Sequence, residues 1–366
     1  MPDLFWTPHS GYHWNGSAER FFEGWYVRLT LPASGDTFAF MYSIDDPAGQ
    51  SRLSGGAAQI LGPGEQYHVA WLPKMRGFWA WPHRLGVGHW QQTTGPMQRG
   101  RYLSPPKFWQ AVKQGYQLTA TQHQGCVVDD ASGAIARWDY AVEPVYGWGP
   151  ANQGARATAG WLSYLPIFEP GWQVLMAHGL ASGWAEWQGR RYEFEQAPTY
   201  MEKNWGGAFP QRWFWIQANA FAAVPDLTIT AVGGKRQVLG QNETVGLIGL
   251  HFAGRSIMLT SLQAAVTWQV ATWGSWQMTM EDHRYRIVLQ GQAPSPPAQV
   301  RVPTRQGLRF QCWDTTQGQL SLEVWERSPL TALDKSLILQ ESTHLAALEV
   351  GGQGWEKTWQ FAKSCF

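Results

Sequence analysis

The residues of this chain with the best prospects for chemistry cluster between positions 200 and 221. Glu202, Lys203 and Asn204 set an acid, a cation and an amide side by side, and Trp205-Gly206-Gly207 follows with the backbone freedom of a turn. From Trp213 the pattern alternates. Trp213, Trp215, Gln217 and Asn219 share one face of a strand, and Phe214, Ile216, Ala218 and Ala220 share the other. The second face is plain core. The first mixes large rings with amides, which suits either a cavity for a mostly hydrocarbon ligand with one polar end or a sheet packed on both sides.

Other candidate groups are scattered. Glu23 sits in Phe21-Phe22-Glu23-Gly24-Trp25-Tyr26, where a structural acid binding backbone or Arg20 or Arg28 is the plainer role. Asp45 ends an aromatic run just before Asp46-Pro47, a place where a turn carboxylate is also expected. His178 falls on a strand pattern and is either a base for a phenol or a core histidine held by ordinary hydrogen bonds. His9 and His13 are four apart, but Pro8 and Gly11 argue against a helix there, and no metal site is expected. Cys126, Cys312 and Cys365 are far apart and in no CxxC spacing, which fits a reducing compartment.

These groups need strands to position them. Among 366 residues, 24 Trp, 40 Gly and 22 Pro with only 15% charged residues favour many short strands and tight turns, an all-β chain. Residues 21–30 and 37–45 form a hairpin, further strands follow, and 107–114 is the one short helix expected. The Gly- and Pro-rich run 147–154 divides the chain into domains 1–155 and 156–366, set to within about 20 residues. Glu23-Gly24-Trp25-Tyr26 and its following strand echo Glu202-Lys203-Asn204-Trp205-Gly206 and its own, a weak repeat at roughly 180 residues that suggests two similar β domains. A net charge of +1 with no basic cluster excludes nucleic acid as a partner. No Walker loop or GxGxxG follows a strand, so no nucleotide is expected. No signal peptide is read at the N-terminus, and no apolar stretch approaches the ~20 residues that span a bilayer.

Several strings carry a family resemblance. His9-Ser10-Gly11-Tyr12-His13-Trp14, Phe21–Tyr26, Phe40-Met41-Tyr42-Ser43-Ile44, Arg156-Ala157-Thr158-Ala159-Gly160-Trp161-Leu162, Glu202–Gly206, Phe209-Pro210, Trp213–Gln217 and Leu348-Glu349-Val350-Gly351-Gly352 resemble the tocopherol cyclases. The resemblance implies two lipocalin-like antiparallel β domains with substrate in or between them. It implies cyclisation of phytyl-benzoquinols without a cofactor: an acid protonates the prenyl double bond nearest the ring, and the phenol oxygen captures the tertiary cation. That chemistry needs a carboxyl group kept protonated by burial, ring faces around the cation, exclusion of water and hydrogen bonds to the quinol head. Glu202, Asp45 and Glu23 are the candidate acids, with Glu202 or Asp45 as donor. Trp25, Tyr42, Lys203, Asn204, Trp205, Trp213, Trp215, Gln217, Asn219 and His178 are the candidate substrate contacts. The chain resembles a cyanobacterial-type member, expected on the cytoplasmic side of the thylakoid or plasma membrane as a peripheral protein. Residues 77–82 offer rings for docking there, or a buried aromatic loop. A prenyl-lipid carrier and a hydratase of another polyene are the alternative functions.

Overall fold

Aromatic and β-branched residues at alternate positions favour extended backbone packed on one face, and glycines close the turns. The computed structural model describes residues 7–364 without 18, 50, 94–97, 151–152, 166–167, 239–240 and 328–334. The chain forms two compact units. The first runs to Phe209 and includes Pro303–Arg309, and the second holds Pro210–Val302 and the chain from Phe310 onward.

The first unit begins with β1 (Phe22–Leu31), β2 (Asp36–Asp45), β3 (Gly55–Gly62), β4 (Gln66–Leu72), β5 (Phe78–Ala80) and β6 (Gly86–Gln92). A short helix, α1 (Pro105–Ala111), precedes β7 (Val112–Thr119), β8 (Gln122–Val128) and β9 (Ile135–Tyr146). The two-residue β10 (Phe168–Glu169) and the long β11 (Gly171–Trp187) and β12 (Arg190–Gly206) complete it. The sheet order is β4-β3-β2-β1-β12-β11-β9-β8-β7-β6-β5. Its apolar face closes on a cluster that includes Val27, Phe38, Phe40, Ile60, Leu118, Trp138 and Met201.

The second unit contains β13 (Arg212–Ala218), β14 (Thr228–Val238), β15 (Gln241–Phe252), β16 (Arg255–Thr260), β17 (Ala265–Val270), β18 (Ser275–Glu281) and β19 (Tyr285–Gln292). Then come β20 (Ala298–Thr304), β21 (Gly307–Arg327), β22 (Lys335–Gly352) and β23 (Trp359–Lys363). The main path is β16-β15-β14-β13-β22-β21-β19-β18-β17-β23, around a core of Phe214, Ile216, Ile248, Trp268, Leu289 and Leu348. This is the all-β arrangement of two lipocalin-like antiparallel units expected from the sequence.

The internal repeat lies in the sheet order. In each unit the opening strand sits between its hairpin partner and a late long strand, as β2-β1-β12-β11 and as β14-β13-β22-β21. The two strings that echo one another in sequence, around Glu23 and around Glu202, sit on β1 and β12 and pair directly with each other. The division between units falls at Phe209/Pro210 rather than near residue 155. The run at 147–154, of which 151–152 lie outside the described residues, joins β9 to the strands leading into β11. Those two strands pair antiparallel over Ala136–Tyr146, so the sheet continues across the run. Glu202, Lys203 and Asn204 are strand residues. The chain leaves β12 only at Gly206, whose φ of +140° suits glycine.

Candidate active site

The register of β1 against β12 sets Glu23 opposite Trp205 and Trp25 opposite Lys203. Opposed residues and residues two apart share a face, so these four side chains form one square on the inner side of the first sheet. Glu23 and Lys203 are completely buried, and Lys203 Nζ forms an ion pair with Glu23 Oε1. Lys203 Nζ also donates to the Gly11 carbonyl at 2.6 Å and lies 5.7 Å from the Trp25 ring centre and 5.4 Å from that of Trp205. The His13 backbone N–H donates to Glu23 Oε2 at 2.9 Å, and His13 Nδ1 is 3.4 Å from Oε1. The His13 ring stacks on Trp205 at 3.9 Å, nearly parallel. His9 extends the chain outward, with Nδ1 3.4 Å from His13 Nε2 and Nε2 2.9 Å from Ser163 Oγ.

Burial works to raise the Glu23 carboxyl, but Lys203 and His13 together outweigh it and hold the group below the usual carboxylate range. Burial also pulls the Lys203 ammonium down, against the pull of Glu23. The contact geometry is that of a charged pair. Burial, with His13 and Lys203 nearby, lowers His9 to about 4, and burial lowers His13 as well, so both imidazoles are neutral at pH 7. Lys203 therefore belongs to Glu23 and not to its sequence neighbour Glu202.

Tyr42 faces the same interior. Its hydroxyl lies 2.5 Å from His123 Nε2, His123 Nδ1 contacts the Tyr140 hydroxyl, and the Tyr42 ring stacks on Tyr116 at 3.8 Å. Burial keeps His123 neutral, so one phenol donates to it and the other accepts. Three side chains far apart in sequence thus satisfy one another inside the core.

Glu202 and Asn204 point to the opposite face of the same sheet. Glu202 lies opposite Tyr26 and Val174, and its Oε2 accepts from the Trp172 indole at 3.0 Å and the Tyr200 hydroxyl at 2.7 Å. Asp45, opposite Phe22, shares that face. Arg20 Nη2 reaches Asp45 Oδ1 at 2.5 Å and its Nη1 reaches Asp46 Oδ1 at 3.1 Å. Burial raises the Asp45 carboxyl against the opposing Arg20 charge, to about 6. A cleft of about 260 Å³ lined by Arg20, Asp46 and Pro47 lies beside it. His178, on β11, packs near Tyr146 with ring centres 6.3 Å apart. In the run at 77–82, Trp79 is buried against Trp90 and Phe108, so it is a core ring and not a docking one.

The second unit contributes a different face. Phe214, Ile216 and Ala218 of β13 enter its hydrophobic core, while Trp213, Trp215, Gln217 and Asn219 alternate onto the other side, all buried. There Trp215 lies opposite Glu349 of β22, and Glu349 lies opposite Asp314 of β21. The Trp213 ring lies across Gly351, where a Cβ would approach it to 2.0 Å, and its indole N–H donates to Glu349 Oε1. The Cys312 thiol is the other side-chain hydrogen-bond partner of Glu349. Burial raises both the Glu349 carboxyl and the Cys312 thiol. Glu349 holds in this sheet the place Glu202 holds in the first: a late strand, beside the opening strand, turned from the core. Sequence reading passed over it as an acid, although its string, an acid between Leu348 and Val350, places a carboxylate in an apolar strand.

Apart from His178 on β11, the candidate residues therefore fall into three groups: Glu23, Trp25, Tyr42, Lys203 and Trp205 on the inner face of the first sheet; Asp45, Glu202 and Asn204 on its other face; and Trp213, Trp215, Gln217 and Asn219 in the second unit.

Residues 19–352 match the family model described as tocopherol cyclase-like. The chain is 38% identical to a protein of Oryza sativa subsp. japonica named probable tocopherol cyclase, chloroplastic, over 97% of this chain and 80% of that one. It is 39% identical to the Zea mays tocopherol cyclase, chloroplastic, over 97% of this chain and 79% of that one. The crystal structure of CghA with Sch210972 shares the fold, at a TM-score of 0.50 and 11% identity, covering 96% of this chain and 97% of that one. A family match of that span, with such relatives along nearly the whole chain, makes this protein an enzyme of the tocopherol cyclase-like family.

Proposed function

We propose that the enzyme closes the chroman ring of phytyl-benzoquinols, converting 2,3-dimethyl-6-phytyl-1,4-benzoquinol to γ-tocopherol and 2-methyl-6-phytyl-1,4-benzoquinol to δ-tocopherol. The relation to tocopherol cyclases along nearly the whole chain carries this reading. The reaction is an isomerisation. A proton adds to the alkene carbon nearer the ring, a tertiary cation forms, and the phenol oxygen bonds to it and loses its proton. Atoms balance with no cofactor.

The buried Trp213, Trp215, Gln217 and Asn219 face supports the same reading. Ring faces stabilise a cation by roughly 2 kcal/mol each when desolvated, and amides hydrogen-bond a quinol head. The donor is a carboxyl group that is protonated when substrate binds. Glu23 is poorly suited, since Lys203 holds it ionised. Asp45, beside Arg20 and raised only to about 6, is mostly ionised at pH 7. Glu202 is the sequence candidate that Glu202→Gln tests. The phytyl tail requires contact with a lipid phase, so the enzyme docks peripherally on a membrane; no helix among the described residues is long and apolar enough to cross one.

The test is anaerobic incubation of the purified enzyme with each quinol in detergent, followed by chiral chromatography. A single chroman enantiomer without added cofactor is expected. Quinol recovered bound and unreacted would indicate a carrier, and a tertiary alcohol would indicate a hydratase.

A further inference from the structure

We propose that Glu349 is the proton donor of the cyclisation, an assignment that rests on the cyclase reading above. Three observations meet at this side chain. First, the register places it in the aromatic and amide face of the second unit, opposite Trp215 and hydrogen-bonded by Trp213. Second, its side-chain partners are an indole and a thiol, and no lysine, arginine or histidine among the described residues pairs with it. Glu23 and Asp45 each face a cation instead. Third, the side chain is half-buried, its carboxyl against an indole and a thiol, and withdrawal from water without a counter-ion favours its neutral form.

The neighbouring strands bring rings, a thiol and a second acid to Glu349. β13 contributes Trp213 and Trp215, and β21 contributes Cys312 and Asp314. Asp314 stands directly opposite Glu349, so the patch holds two acids and a thiol around one hydrogen-bonded indole. The indole N–H can only donate and fixes one carboxyl oxygen. Trp213 itself is fixed by its seat on Gly351, which leaves no room for a side chain.

In the step proposed, the Glu349 O–H proton passes to the alkene carbon nearer the quinol ring. The π pair becomes the new C–H bond, and the tertiary carbon becomes cationic against the ring faces of Trp213 and Trp215. The phenol oxygen then forms the C–O bond, and its proton returns to the Glu349 carboxylate. The enzyme ends the cycle as it began.

The test compares wild type, Glu349→Gln, Glu349→Asp and Glu202→Gln with the dimethyl quinol. Glu349→Gln keeps the shape and still accepts from Trp213, but holds no acidic proton. Its kcat is expected to fall by 10²–10⁴-fold, the usual worth of a general acid, while quinol binding, read by tryptophan quenching, stays within a few-fold. Glu349→Asp is expected to retain part of the rate. In wild type, kcat is expected to fall about ten-fold per pH unit above the donor's ionisation. Near wild-type turnover by Glu349→Gln, or a flat wild-type profile from pH 5 to 9, overturns the assignment and leaves the cyclase reading standing. Loss in Glu202→Gln with retention in Glu349→Gln moves the donor to the first unit. If wild type itself makes no chroman, the cyclase reading fails. If Glu349→Gln fails to fold, the pH profile of wild type decides.

Discussion

Replacing Lys203 by methionine isolates the ion pair at the centre of the first unit. Both charges are completely buried, and the ammonium also holds the Gly11 carbonyl at 2.6 Å. Methionine roughly fills the space but leaves the Glu23 carboxylate enclosed with only His13 beside it. Removing one partner of a buried pair costs about 3–5 kcal/mol, because the remaining charge loses its compensation. An exposed pair would cost at most about 1 kcal/mol. The assay is urea unfolding of the full chain at pH 7, as a double-mutant cycle with Glu23→Gln. Lys203→Met alone is expected to lose 3–5 kcal/mol, and the double variant to recover at least about 2 kcal/mol of that as coupling. The pair also sets a pH dependence. Glu23 is held below its ordinary range, so its contribution is fully present above about 4.5 and is lost as pH falls below that. A Lys203→Met loss under 1 kcal/mol, or additive single costs, would refute the charged-pair account.

Two further outcomes follow from the geometry. Asp45 is raised from 3.8 to about 6, which corresponds to about 3 kcal/mol. Its folded form prefers the proton, so its contribution to stability declines as pH rises from 4 through 6; Asp45→Asn is therefore expected to gain about 3 kcal/mol relative to wild type between pH 4 and 7, read by urea unfolding at both pH values. A difference that does not change with pH would contradict this. Gly351→Ala places a methyl group 2.0 Å from the Trp213 ring; it is expected to cost about 1–3 kcal/mol and to shift tryptophan emission, and unchanged emission would show that the ring does not sit there.

Much of the architecture was readable because strand periodicity is local. The alternation from Trp213 to Asn219 separates the core face from the ring-and-amide face, and the hairpin of β1 and β2 is legible from its own residues. What periodicity does not supply is register between distant strands. Glu23 and Lys203 meet only because β1 pairs with β12 across some 180 intervening residues, and Tyr42 of β2 meets His123 of β8 although those strands are not neighbours in the sheet. The likeness between the Glu23 and Glu202 strings is visible in sequence, but its meaning as a pairing is not. The unit division was displaced for a similar reason: a Gly- and Pro-rich run marks a loop, and only pairing shows whether the sheet continues past it. Glu349 carries a signal, an acid inside an apolar strand, but its partners Trp213 and Cys312 lie on two other strands.

The central claim, proton addition followed by phenol capture, is tested most directly by running the cyclisation in D₂O and locating the label in the product. The account predicts one deuterium on the chroman carbon next to the tertiary ether carbon, in a single enantiomer. An unlabelled chroman would mean that the ring closes without protonation of the alkene, and would contradict it.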